Sequence, residues 1–166
     1  MPALPPGSLI LPKTVIAADQ SVYHVDAPWH ERLCRRLEGS TGFYQEPLAE
    51  STGVLTGPEE KRKLSSRTGA IAVDMESAAV AGVAREAGVP FAVIRALLDP
   101  VEMAIPDRVL TVVDEFGRLN VLKLIRQLVE HPGEVFCLLA MRRNFRAVQT
   151  ALARVIDLAG KNLLVS

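Results

Sequence analysis

A chain of 166 residues suits one domain and is long enough to bury a substantial core. Apolar residues make up 49% of it and mean hydropathy is +0.20, which argues against disorder. Lys plus Arg and Asp plus Glu stand at 19 each, so no global field points to nucleic acid or to an acidic partner.

The cysteines Cys34 and Cys137 are far apart, each in an apolar helical pattern. They make neither a metal pair nor a disulfide framework, and the simplest location is the reducing cytoplasm. No apolar run is long enough to span a bilayer, and the opening "MPALPPGSLILPK" lacks the charged start of a signal peptide. A Pro-Pro-Gly turn leads almost at once into a core-like strand. This abruptness carries the expectation that the chain begins partway through a larger fold.

In chain order, Ser8–Leu11 reads as a short strand between Gly7 and Pro12. "TVIAADQSVY" reads as a second strand, with Val15 and Ile16 buried. "DAPWHERLCRRLEG" reads as a helix capped at Asp26 or Ala27, with Pro28 tolerated in its first turn and Gly39 suited to its stop. "EPLAESTGVLTG" reads as strand between Gly-Thr turns, and "PEEKRKLSSRTG" as a short charged helix. Ala70–Val73 is a buried strand candidate. A small-residue helix from about Met75 to Ala87 follows, closed by Gly88 and Pro90. "FAVIRALL" is the clearest strand, continuous and apolar, as expected in a parallel sheet covered on both faces. The remainder is a helical tail, about 118–160, interrupted at His131-Pro132-Gly133. The whole reads as one α/β domain, a mostly parallel mixed sheet with helices on both faces. It contains no internal repeat and no low-complexity segment.

The order strand, helix, strand from Ala70 to Arg95 predicts a β-α-β unit with a right-handed crossover. Ligands collect at the carboxyl ends of such strands. Asp74 and Glu76 follow one strand end and Asp99 follows the next. If the two strands are neighbours, the three acids edge one crevice. Cleavage of a bond between ribose and a purine suits such a set. The sugar becomes cation-like, and the base leaves well only once a ring nitrogen is protonated. A carboxylic acid with a raised pKa supplies that proton. A second carboxylate accepts hydrogen bonds from the vicinal ribose hydroxyls beside the developing charge. Asp99, flanked by Leu97, Leu98 and Pro100, suits the acid, and Glu76 at a helix start suits the ionised partner. Plainer roles compete. Asp74 is an ordinary helix cap, Glu76 a complement to a helix dipole, Asp99-Pro100 a turn, and Arg95 a structural partner for an acid.

"VDMESAAVAGVAREAGVPFAVIRALLDP" resembles the signature region of the purine nucleoside phosphorylase / methylthioadenosine-S-adenosylhomocysteine nucleosidase superfamily. That region runs from a strand into a [DE]-M-E-[AS] helix start, a V-P turn, a strand ending in V-R-A and an Asp shortly after. "PGSLILPKTVI" resembles its P-G-D-[IL]-[VL]-[LIV]-P stretch. "AVDMESAAVA", the D-P after the strand and the Arg-rich tail are most similar to the hopanoid-associated phosphorylase-like group, which is linked to releasing adenine from adenosylhopane. The resemblance runs from Pro5 to about Pro106, and more weakly through the tail.

The resemblance implies a three-layer α/β/α fold. It places Glu76 as ribose-diol acceptor, Met75 as the wall under the sugar, Asp99 as the acid facing the purine, and Thr56 in a hydroxyl-Gly turn near the base. Arg95 matches the V-R-A arginine and is left structural. No cofactor is implied beyond phosphate as a co-substrate. The implied partner is a small nucleoside, which could be lipid-linked, and a homodimer is compatible. Methylthioadenosine or futalosine nucleosidase activity is the alternative within enzymes, and a catalytically incomplete binding domain the alternative outside them.

Leu98 and Ser8 depart from the pattern, standing where relatives carry a polar residue and an Asp. The superfamily's phosphate- or water-holding glycine-rich loop and its G-x-A-G-G loop have no counterpart here. Those groups would decide between phosphorolysis and hydrolysis.

His24, His30 and His131 lack partners at ligand spacing, so no metal site is expected, and His30 reads as solvated. There is no G-x-S-x-G, GxGxxG or Walker pattern. Arg142, Arg143, Arg146 and Arg154 lie beside Phe145, Val148 and Leu152 on the tail helix. That pattern is either a packed helix with a solvated charged face or a contact with an anionic membrane surface.

Overall fold

A computed structural model describes residues 4–39, 42–98, 130 and 134–160. The elements in chain order are β1 (Leu9–Ile10), β2 (Thr14–Ile16), β3 (Val22–His24), α1 (Ala27–Leu37), β4 (Phe43–Tyr44), β5 (Leu48–Glu50), α2 (Pro58–Thr68), β6 (Ala72–Asp74), α3 (Ser77–Ala87), β7 (Arg95–Ala96) and α4 (Glu134–Ala159). The fold is α/β, as expected, and among the described residues three of the five strand pairings are parallel.

The strands form two ladders, β4-β1-β7 and β3-β2-β5-β6. Leu9–Ile16 threads both. Buried Pro12 separates β1 from β2 because it has no N–H to give a ladder. Pairing survives on either side, where Leu11 N donates to Tyr44 O at 2.8 Å and Lys13 N to Gln45 O at 3.2 Å. β2, β5 and β6 run parallel in the register Ile16↔Ala49 and Glu50↔Asp74. Their carboxyl ends therefore open onto one edge.

"TVIAADQSVY" is a hairpin rather than one strand. β2 returns antiparallel as β3. Gln20 takes φ 70° at the turn, and Asp19 Oδ1 accepts from Ser21 N at 2.8 Å. Val15 is fully buried, whereas Ile16 is only partly so.

The "FAVIRALL" stretch also departs from expectation. Only Arg95–Ala96 joins a ladder, antiparallel to β1, so β6 and β7 are not neighbours in one parallel sheet. The stretch nevertheless alternates with the period of an extended chain. Phe91, Val93 and Leu97 pack with Ile10, Val15, Leu48, Ala72 and Ala78, whereas Ala92, Ile94 and Ala96 pack with Leu9, Leu11, Leu33 and Leu37. Both faces are covered, as its apolar run predicts. Arg95 falls on the first of these faces, the one turned toward β6 and α3.

The helices follow their end signals. Asp26 caps α1 by accepting from Trp29 N at 2.8 Å, with Pro28 in the first turn. α2 ends at Gly69 and α3 at Gly88, both left-handed. Ala78, Ala81 and Ala84 form the buried face of α3, whose small side chains let it lie close against β2 and β5. α4 packs on α1 and β7. Gly7, at φ 84°, lies where an added Cβ would come within 3.0 Å of Ala147 O, so the Pro-Pro-Gly turn admits α4 only without a side chain.

His30 is not solvated. It is 5% exposed, and its Nε2–H donates to Leu11 O at 2.8 Å. Its Nδ1 lies 3.7 Å from Cys34 Sγ. Burial pushes the Cys34 thiol above its ordinary value.

Candidate functional site

The carboxyl edge of β2, β5 and β6 gathers acidic groups. Glu50, the last residue of β5, turns its Oε2 to accept from Ala18 N at 3.0 Å, tying the β2 end to the β5 end. Ser51 N donates to Asp74 O at 2.8 Å, which ties β5 to β6. This bracing fixes the point at which the chain leaves β6 for α3.

Asp74 organises that departure. Its Oδ1 accepts from Ser77 N at 3.1 Å and Glu76 N at 3.3 Å. It thus serves two of the amide donors that a helix start leaves unpaired. The boundary falls at Glu76, which makes no side-chain cap, so α3 begins at Ser77 rather than Met75. Asp74 Oδ2 accepts the Ser77 hydroxyl in a short hydrogen bond. The same oxygen receives Arg95, whose Nε and one terminal nitrogen both lie at 2.5 Å. That terminal nitrogen also reaches Glu76 Oε2 at 2.9 Å and Ser77 Oγ at 3.3 Å. One guanidinium therefore bridges two carboxylates, a geometry its planar fork permits.

The members differ in exposure. The side chain of Asp74 is 10% exposed, that of Arg95 38%, and that of Glu76 67%. Asp74 is thus an internal anchor, whereas Glu76 presents a carboxylate to solvent. Met75, between them in sequence, is 45% exposed, a large apolar side chain beside a polar one. An apolar surface next to a hydrogen-bond acceptor is the pairing a sugar requires, since a sugar ring has C–H faces and hydroxyl edges.

Of the residues expected at the site, Glu76 and Met75 lie together at the α3 start. Thr56 lies elsewhere, in the loop before α2. Its N–H donates to Glu60 Oε2 at 3.1 Å, beside the N–H of the N-cap Gly57 at 3.4 Å, and among the described residues no hydrogen bond joins it to the Asp74–Arg95 cluster. Asp99 lies outside the described residues. Sequence reasoning missed Ser77, whereas its reading of Arg95 as a structural partner for an acid agrees with the contacts to Asp74 and Glu76. The three-residue spacing from Asp74 to Ser77 is the signal available for the first. Nothing local marks which acids Arg95 meets, because its reach to Asp74 depends on which face of "FAVIRALL" turns toward β6.

A model of the phosphorylase superfamily matches residues 1–130. No curated protein gives a significant match. Among solved structures, the fold is similar to a putative methylthioadenosine nucleosidase from Weissella paramesenteroides, with TM-score 0.54, 22% identity, and coverage of 63% of this chain and 53% of that one. Futalosine hydrolase from Helicobacter pylori gives TM-score 0.55, 22% identity, and coverage of 60% of this chain and 50% of that one. The H. pylori 5'-methylthioadenosine/S-adenosylhomocysteine nucleosidase bound to butyl-thio-DADMe-Immucillin-A gives TM-score 0.60 over 93% of this chain and 62% of that one, at 16% identity. The chain thus spans about half the length of the first two structures and somewhat more of the third.

Proposed function

The chain belongs to the phosphorylase superfamily, and from that premise we propose that it cleaves the N-ribosyl bond of an adenosyl compound at the α3 start. The observation that supports this most is the exposed Glu76 carboxylate held by Arg95 against buried Asp74. In this reading Glu76 accepts the vicinal ribose hydroxyls and lies near the cationic sugar of the transition state. Met75 lies under the sugar ring. Asp99 protonates the leaving purine, and Thr56 lies on the side of the base. Leu98 before it and Pro100 after it give Asp99 apolar neighbours in sequence. Phosphate or water then takes the anomeric carbon.

The substrate we favour is adenosylhopane or another adenosyl group carrying an apolar 5′ substituent. 5′-Methylthioadenosine and futalosine are the alternatives, given the nucleosidases of similar fold. The test is chromatographic detection of adenine from a soluble adenosyl analogue and from 5′-methylthioadenosine, and of hypoxanthine from futalosine, each with and without phosphate. Base release supports the reading, and its phosphate dependence assigns the co-substrate. No release from any substrate favours a binding domain without catalysis. Replacement of Asp99 by Asn should slow turnover by about a hundredfold or more if it is the acid.

A further inference from the structure

We propose that Arg95 is a positioning residue for Glu76, with Asp74 as its anchor, so that the ribose acceptor is preset before substrate arrives. The proposal rests on the ribose-binding role given to Glu76 above.

The backbone of Glu76 is pinned, its N–H by Asp74 Oδ1 at 3.3 Å and its carbonyl by Val80 N at 3.1 Å. Its side chain is not. It is 67% exposed, and among the described residues Arg95 meets its carboxylate, at Oε2. A long exposed carboxylate left to itself samples many rotamers, and ordering it opposes binding. Arg95 removes that cost beforehand. It occupies Oε2 and leaves Oε1 to accept a hydroxyl hydrogen.

Arg95 can hold Glu76 only because it is itself held. Its Nε and a terminal nitrogen converge on Asp74 Oδ2, and Ser77 Oγ accepts from that terminal nitrogen. Asp74 in turn is fixed by two backbone amides at the first turn of α3. Rigidity therefore passes from the helix start through Asp74 to Arg95 and on to Glu76. A lysine, with one ammonium, lacks the Nε donor that fixes the guanidinium on Asp74 while its terminal nitrogen reaches Glu76.

The test is a double-mutant cycle. Arg95→Met, Arg95→Lys and Asp74→Asn are each made alone and with Glu76→Gln, and kcat and KM for nucleoside cleavage are measured. Kd is measured in parallel for adenosine and for 2′,3′-dideoxyadenosine, which has no diol. Melting curves confirm folding, and Arg95→Lys and Asp74→Asn keep the test alive should Arg95→Met misfold. We expect Arg95→Met to lower kcat/KM by about ten- to a hundredfold. Arg95→Lys should recover part of that loss. In the Glu76→Gln background the loss should vanish, as should the effect on dideoxyadenosine affinity. Equal losses with and without Glu76, or equal effects on both ligands, would overturn the positioning role and leave the functional reading intact. A Glu76→Gln protein as active as the parent, or a parent that neither binds nor cleaves, would overturn that reading and this proposal with it.

Discussion

Arg95 Nε stands 2.5 Å from Asp74 Oδ2, a contact made across 21 residues of sequence and between two different strand ladders. It fastens β7 to the β6–α3 junction, although the two strands do not pair. Asp74 is nearly buried and receives donors from Glu76, Ser77 and Arg95. Replacement by Ala strands those donors, so Asp74→Ala should destabilise the fold by about 1–3 kcal/mol. Asp74→Asn keeps much of the cap and should cost less. Urea denaturation at neutral pH measures both, and two variants as stable as the parent would remove Asp74 as an anchor.

His30 should matter for stability in a way its sequence position conceals. Its Nε2–H satisfies the carbonyl of buried Leu11 beside the Pro12 break. His30→Leu fills much of the space but leaves that carbonyl unpaired. A loss of about 1–3 kcal/mol is expected in the same denaturation experiment, and an unchanged midpoint would contradict it.

The β2–β3 turn should respond to acid. Hydrogen bonds from the Ser21 backbone and hydroxyl hold the Asp19 carboxyl below its ordinary value. A carboxylate lowered in the folded state adds stability that is present above its unfolded value and lost as pH falls through its folded one. The turn should therefore stay closed at neutral pH and loosen only below the usual aspartate value of about 3.9. The Ser21 amide, followed by NMR, should shift over that window. In Asp19→Asn the shift should be absent, and a parent-like titration in that variant would sink the assignment.

Contact between the tail helix and an anionic lipid surface is one of two readings of its sequence, and it is directly testable. Phe145, Leu152 and Ile156 are exposed on α4, and Arg142, Arg143, Arg146 and Arg154 are exposed along the same helix. Leu98, Met141, Arg142, Phe145, Arg146 and Gln149 line a cleft of about 490 Å³ there. No helix among the described residues is long and apolar enough to cross a membrane. Co-sedimentation with vesicles containing phosphatidylserine should fall several-fold in Arg142→Glu/Arg146→Glu. Equal pelleting of parent and variant would end the idea.

Local chemistry made much of this fold readable in the sequence. Asp26, Pro28, Gly69 and Gly88 mark helix ends, and each works through its own backbone or side chain. The Met-Glu pair after β6 could be placed for the same reason. Less was legible where distant segments decide. Gln20 adopts a left-handed turn that its residue type does not announce, and so "TVIAADQSVY" reads as one strand. The apolar run at Phe91–Leu98 signals burial on both faces but not its partner, and β1 takes it antiparallel. His30 has a polar local context, yet α1 turns it inward onto Leu11. Arg95 likewise acquires its partners only once β7 and β6 are both in place.

The central claim is that Glu76 binds the sugar during N-ribosyl cleavage, and the most direct measurement compares adenine release by the parent and by Glu76→Gln. Both are run on one adenosyl substrate under saturating phosphate, with folding checked by melting. The account predicts a loss of about a hundredfold or more, because a charged acceptor beside a cationic sugar acts mainly in the transition state. Equal rates in the two proteins would contradict it.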